Sequence, residues 1–109
     1  MNIDEAVTLE TQLSNLGLQY GAWKSQAQHL ERLRKVVLAQ EMLVHIGCPV
    51  NERDMKARNS QKYKTHLEGQ KEAESKANKF HALLETVRET ISNRRTIEAT
   101  RRSEISLQR

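Results

Sequence analysis

The sequence predicts an all-α protein, and three observations carry that expectation. Apolar residues recur at alternating three- and four-residue steps over two long stretches, the spacing of one helix face. Aromatic residues are only 4% of the 109-residue chain, and a single Pro and four Gly are far too few for the turns of a sandwich or barrel. Charged residues reach 29% against 37% hydrophobic, so a thick, self-sufficient core is not expected. The length confines residues 1–109 to a single helical domain or one subunit of an assembly.

Residues 2–16 place Ile3, Ala6, Val7, Glu10, Leu13 and Leu16 near helical spacing, and Asn2 is positioned to cap the first turn with Glu5 three residues on. This short helix is acidic, with Asp4, Glu5 and Glu10 opposed by no cation. Gly17 and Gly21 bracket the segment that follows as a flexible joint, which makes residues 2–16 an arm.

Residues 18–46 read as a long amphipathic helix. Tyr20, Trp23, Ala27, Leu30, Val37 and Val44 form its stripe, with Leu33, Val36, Leu43 and Ile46 beside it. A face of that width suits packing within the chain and against a second subunit. Gly47-Cys48-Pro49 supplies the stop, Gly47 as a left-handed cap and Pro49 as a residue that cannot continue the helix.

Residues 47–60 form a connector, with Asn51 as N-cap of a helical turn over 52–58 and Ser60 as cap of the next element. It is the most basic part of the chain. Arg53, Lys56, Arg58, Lys62 and Lys64 face the single Asp54 between residues 53 and 64.

A second long helix over residues 61–91 carries the cleanest periodicity: Tyr63, His66, Gln70, Ala73, Ala77, Phe80, Leu84, Val87 and Ile91. Its small and polar members come first, so the tight packing is expected at Phe80, Leu83, Leu84, Val87 and Ile91. Residues 92–109 extend it with Arg94, Arg95, Arg101, Arg102 and Arg109 against Glu98 and Glu104, a helix-permissive but poorly anchored tail. The fold expected is two long antiparallel amphipathic helices with a short N-terminal helix. A two-helix layer leaves apolar surface uncovered, which predicts a homo-oligomeric helical bundle or coiled coil. Its interface is assigned to Trp23, Leu30, Val37, Phe80, Leu84, Val87 and Ile91.

Catalytic chemistry finds no support. His29, His45, His66 and His81 show neither HExxH spacing nor convincing carboxylate partners, and no Gly-rich phosphate loop is present. Glu52 with Asp54, and Glu72 with Glu74, lie two residues apart and so point to different sides of a helix. Cys48, the only cysteine, excludes an internal disulfide and reads as a small residue at a helix end. No catalytic residue, metal site or cofactor is expected, and the chain reads as non-enzymatic.

Lys and Arg exceed Asp and Glu by 18 to 14, a balance suited to a polyanionic partner. The basic connector reads equally as a phosphate-binding edge or as an ordinary solvated turn. Tyr63 between Lys62 and Lys64 imitates a single-strand stacking surface, although its heptad position favours a core role, and Trp23 reads as an inter-helix anchor. No apolar run is long enough to span a membrane, and the acidic start does not read as a secretory signal, so a cytoplasmic protein without membrane contact is expected.

Several short motifs stand in one order along residues 18–104: Leu18-Gln-Tyr-Gly-Ala-Trp23, Leu30-Glu-Arg-Leu-Arg-Lys35, Gln40-Glu-Met42, Lys56-Ala-Arg58, the Tyr63 helix, Ile91-x-x-Arg94-Arg95 and Arg101-x-x-Glu104. In this pattern the chain resembles the UvsY-like recombination mediators of T-even bacteriophages. The resemblance implies an oligomer that binds single-stranded DNA and helps load a RecA-like recombinase onto strands covered by single-strand-binding protein, in the host cytoplasm. By the same resemblance Lys56 and Arg58 contact phosphates. The track is extended by Arg53, Lys62 and Lys64, and by Arg94 and Arg95. The Gly47-Cys48-Pro49 break and the Arg-rich tail depart from the family pattern. The competing reading is a small phage-type adaptor or inhibitor that engages a protein through its helices.

Overall fold

In the computed structural model, which describes residues 3–108, the chain is all-helical: α1 (Ile3–Val44), α2 (Val50–Arg58) and α3 (Gln61–Gln108), with no strand among the described residues. The chain divides into two compact units. Within the described residues one comprises 3–20 with 78–108, and the other Gly21–Ala77.

Two element boundaries differ from the sequence expectation. Residues 2–16 are not a separate arm, because α1 runs unbroken for 42 residues through Gly17 and Gly21. Glycine costs a helix about 0.5–1 kcal/mol relative to alanine, a penalty that burial of a continuous stripe offsets. That stripe is Leu13, Leu16 and Tyr20 in one unit and Trp23, Ala27 and Leu30 in the other, all buried or half-buried. The expected Asn2 cap lies outside the described residues. The tail is likewise not a separate element, since α3 is helical for 48 residues, although every side chain from 99 to 108 is exposed.

The cap chemistry also differs. Gly47 does not take the left-handed conformation, and no described residue has a positive φ. α1 instead closes through tight turns, with His45 N–H donating to Met42 O at 3.1 Å and Cys48 N–H to His45 O at 3.0 Å. Pro49, not Asn51, occupies the N-cap of α2, where no side chain caps the helix. Its fixed φ, here −56°, suits entry into a helix. Ser60 does cap α3, its hydroxyl accepting from Tyr63 N–H at 3.2 Å.

In the Gly21–Ala77 unit the heptad positions that are buried or half-buried are Trp23, Ala27, Leu30, Arg34, Val37 and Glu41 of α1 and Tyr63, His66, Gln70, Ala73 and Ala77 of α3. Arg34 and Glu41 fill the heptad positions that a search for apolar residues passes over, whereas Val44, expected on the stripe, is exposed at the helix end. His66 Nε2 lies 2.6 Å from Leu30 O, and because a carbonyl only accepts, the ring donates there. Lys76 sets its ammonium 4.3 Å from the Trp23 ring centre while pairing with Glu72 at 3.1 Å. Ala57 of α2 is fully buried.

In the other unit Ala6, Leu9, Leu13, Leu16 and Tyr20 of α1 and Phe80, Leu84, Val87, Ile91 and Arg94 of α3 continue the pattern, yet Leu84 alone among them is buried. The expectation of tightest packing at the Phe80–Ile91 end is thus reversed: Ala27, Tyr63, Gln70, Ala73 and Ala77 of the Gly21–Ala77 unit are the better covered. Between two helices a short side chain is covered readily, whereas most long ones, Leu84 and Tyr63 apart, keep part of their surface in water.

Candidate nucleic-acid interface

The five cations between residues 53 and 64 all belong to the Gly21–Ala77 unit, but they fall into two groups. Arg53, Lys56 and Arg58 are engaged locally. Arg53 Nε donates to Cys48 O at 2.8 Å, tying α2 to the turn that precedes it. Lys56 Nζ reaches Cys48 Sγ at 3.4 Å and Glu52 Oε1 at 3.3 Å. These two hydrogen bonds, Cys48 first and then Glu52, hold the exposed ammonium above the ordinary lysine value. Arg58 Nε donates to both oxygens of Asp54, at 3.2 and 3.0 Å. The Lys56–Glu52 and Arg58–Asp54 pairs are half-exposed, so a stronger anion can displace either at little cost.

Lys62 and Lys64 are different. Both are exposed at the first turn of α3, and neither forms an ion pair with a described residue. Ser60 starts the helix immediately before them, so their backbone is fixed while their ammonium groups remain solvated. Tyr63 between them is 5% exposed and so holds the unit together rather than offering a face to a base.

Arg94 and Arg95 lie in the other unit and take separate roles. Arg94 Nη1 donates to Glu5 Oε2 at 2.6 Å, joining α1 and α3 within one chain. Arg95 is exposed and lines a groove of about 550 Å³ with Glu10, Arg88, Ile91 and Thr96. The reading of residues 92–109 as the Arg-rich tail leaves out Arg88. The signal that finds it is a seven-residue repeat, Arg88, Arg95 and Arg102, which places three arginines along one edge of a helix. Arg88 pairs with Glu85 at 2.8 Å, and Arg102 Nε donates to Glu98 O at 3.4 Å.

The aromatic side chains assigned to packing are all engaged. Tyr20 stands 5.2 Å from the His81 ring, Trp23 carries Lys76, and Phe80 lies 5.9 Å from Lys79 Nζ. The seven residues assigned to an oligomer interface, Trp23, Leu30, Val37, Phe80, Leu84, Val87 and Ile91, all belong to the inward stripes of a single chain and are buried or half-buried there.

Among the described residues no group of three or more His, Cys, Asp or Glu side chains is arranged to hold a metal, and no helix is long and apolar enough to cross a membrane. No protein-family model matches the chain, and no curated protein or solved structure shows significant similarity to it.

Proposed function

We propose that the chain is a non-enzymatic, homo-oligomeric protein whose long helices pair antiparallel as a coiled-coil hairpin, and that it binds single-stranded DNA through backbone phosphates. The observation that carries this reading is that Lys62 and Lys64, on the two flanks of the buried Tyr63, are exposed and without an ion partner among the described residues, in the same basic stretch as the exposed Lys56 and Arg58. The engaged aromatics favour phosphate contact over base stacking as the source of affinity, which makes binding tolerant of sequence and sensitive to salt. In this reading the protein acts in the cytoplasm, that of the host if phage-encoded. There it serves as a recombination mediator, with a RecA-like recombinase and single-strand-binding protein as partners.

The test is fluorescence anisotropy with labelled single-stranded and duplex oligonucleotides across a salt series. Lys62→Glu with Lys64→Glu should remove most binding and lower the salt slope by about 0.7 for each single-strand phosphate no longer neutralised. Tighter binding to single strands supports the mediator role, and equal binding to duplex removes it. Undiminished binding by the double variant moves the site elsewhere.

A second reading, a helical adaptor or inhibitor acting on a protein, is favoured by the local engagement of Arg53, Lys56 and Arg58. Absence of nucleic-acid binding even at low salt would select it.

A further inference from the structure

Within the Gly21–Ala77 unit, α1 carries two stripes. One faces inward. The other repeats the same four- and three-residue steps on its flank, with Ala22, Leu33, Val36 and Leu43 interleaved with Gln26, His29 and Gln40, and every one of them is exposed. Leu33, Val36 and Leu43 are 36%, 48% and 64% exposed. No Asp, Glu, Lys or Arg occurs on this stripe in a chain that is 29% charged. In the same unit the exposed positions of α3 include Lys62, Lys64, Glu68, Lys71, Glu72 and Glu74.

We infer that this second stripe of α1 is the surface on which two copies of the chain associate, α1 against α1 about a two-fold axis. The inference rests on the oligomeric part of the function proposed above and gives it a location. Alternating steps of three and four are the spacing at which two helices interdigitate side chains. A two-fold interface sets a patch against itself, so a charged patch meets its own charge, whereas this stripe meets none. Gln26 and Gln40 each donate and accept, and therefore pair with their own kind as readily as with any other residue. A nucleic acid would require cations here, and a membrane surface would require a continuous apolar face flanked by Lys and Arg. The stripe has neither. The inward residues Trp23, Leu30 and Val37 remain within each chain, and the association adds Leu33, Val36 and Leu43 to cover.

The experiment is size-exclusion chromatography with light scattering on the full chain without nucleic acid, over a range of protein concentrations. The wild type should show the mass of two chains or an even multiple. Val36→Glu, and independently Leu43→Glu, should bring the mass to that of one chain at concentrations where the wild type associates, with helical circular dichroism retained. Gln28→Glu, exposed but off the stripe, should leave the mass unchanged. A wild type with the mass of one chain overturns both the surface and the oligomeric reading. An assembly that survives both stripe variants in helical form overturns the surface alone, and neither result bears on DNA binding.

Discussion

The two compact units draw on the same two long helices, yet they are held together by different means. The Gly21–Ala77 unit is joined by small buried side chains and directional contacts: Ala27, Ala73 and Ala77 at the centre, the His66–Leu30 hydrogen bond, and Lys76 on Trp23. It also contains α2, whose Ala57 is fully covered. The unit of residues 3–20 and 78–108 relies on larger aliphatic side chains, and of these only Leu84 is buried, with Leu83, Ile97 and Ile105 left exposed. Side-chain size therefore does not predict burial where only two helices meet. Methyl groups are covered readily between two helices, whereas most long aliphatic side chains of the second unit, Leu84 excepted, keep part of their length in water.

The largest effect is expected where that imbalance is greatest. Leu84→Ala removes the one well-covered large side chain of its unit and should cost about 2–5 kcal/mol, read from urea unfolding at fixed protein concentration. Ala73→Leu forces volume into a site only 2% exposed and should cost less, about 1–3 kcal/mol, because overpacking is relieved by small helix shifts. A greater loss from Ala73→Leu would invert the comparison and make close approach of the helices matter more to stability than the burial of large aliphatic side chains.

A smaller effect, of opposite sign, is expected at the boundary between the units. The backbone at Gly21 is helical, and a Cβ added there meets no atom within 4 Å. Gly21→Ala should raise stability by about 0.5–1 kcal/mol, visible as a higher melting temperature. Destabilisation would restore the flexible joint that the glycine pair suggests from sequence.

Much of the helix pattern is legible in the sequence. The α3 stripe from Tyr63 to Ile91 and the Ser60 cap are where the spacing and the hydroxyl place them, because both signals are local. What the sequence hides is non-local. Arg34 and Glu41 are half-buried at heptad positions although neither is apolar, so a search for hydrophobic periodicity skips them. Gly17 and Gly21 read as breaks because propensity is a property of one residue, whereas the packing that overrides it belongs to the whole stripe. At the candidate site the basic character of residues 53–64 is plain. The division of those cations into engaged Arg53, Lys56 and Arg58 and open Lys62 and Lys64 depends on where Cys48, Glu52 and Asp54 fall on the connector, which counting charges does not reveal.

The smallest expected effect concerns the Glu5–Arg94 ion pair, which links α1 to α3 in the unit of residues 3–20 and 78–108. Its 2.6 Å separation is short, but the two side chains are 52% and 41% exposed, so water screens the attraction and ordering two long side chains opposes it. Glu5→Gln should therefore cost no more than about 1 kcal/mol, and the cost should fade as salt rises, since exposed charges are screened within about 10 Å at 0.1 M. Breaking the pair also releases Arg94 from Glu5, so the same variant should bind single-stranded DNA more tightly if Arg94 belongs to the phosphate track. Unchanged affinity, with the stability loss observed, would confine Arg94 to holding the helices together and leave the proposed phosphate contacts to residues 53–64.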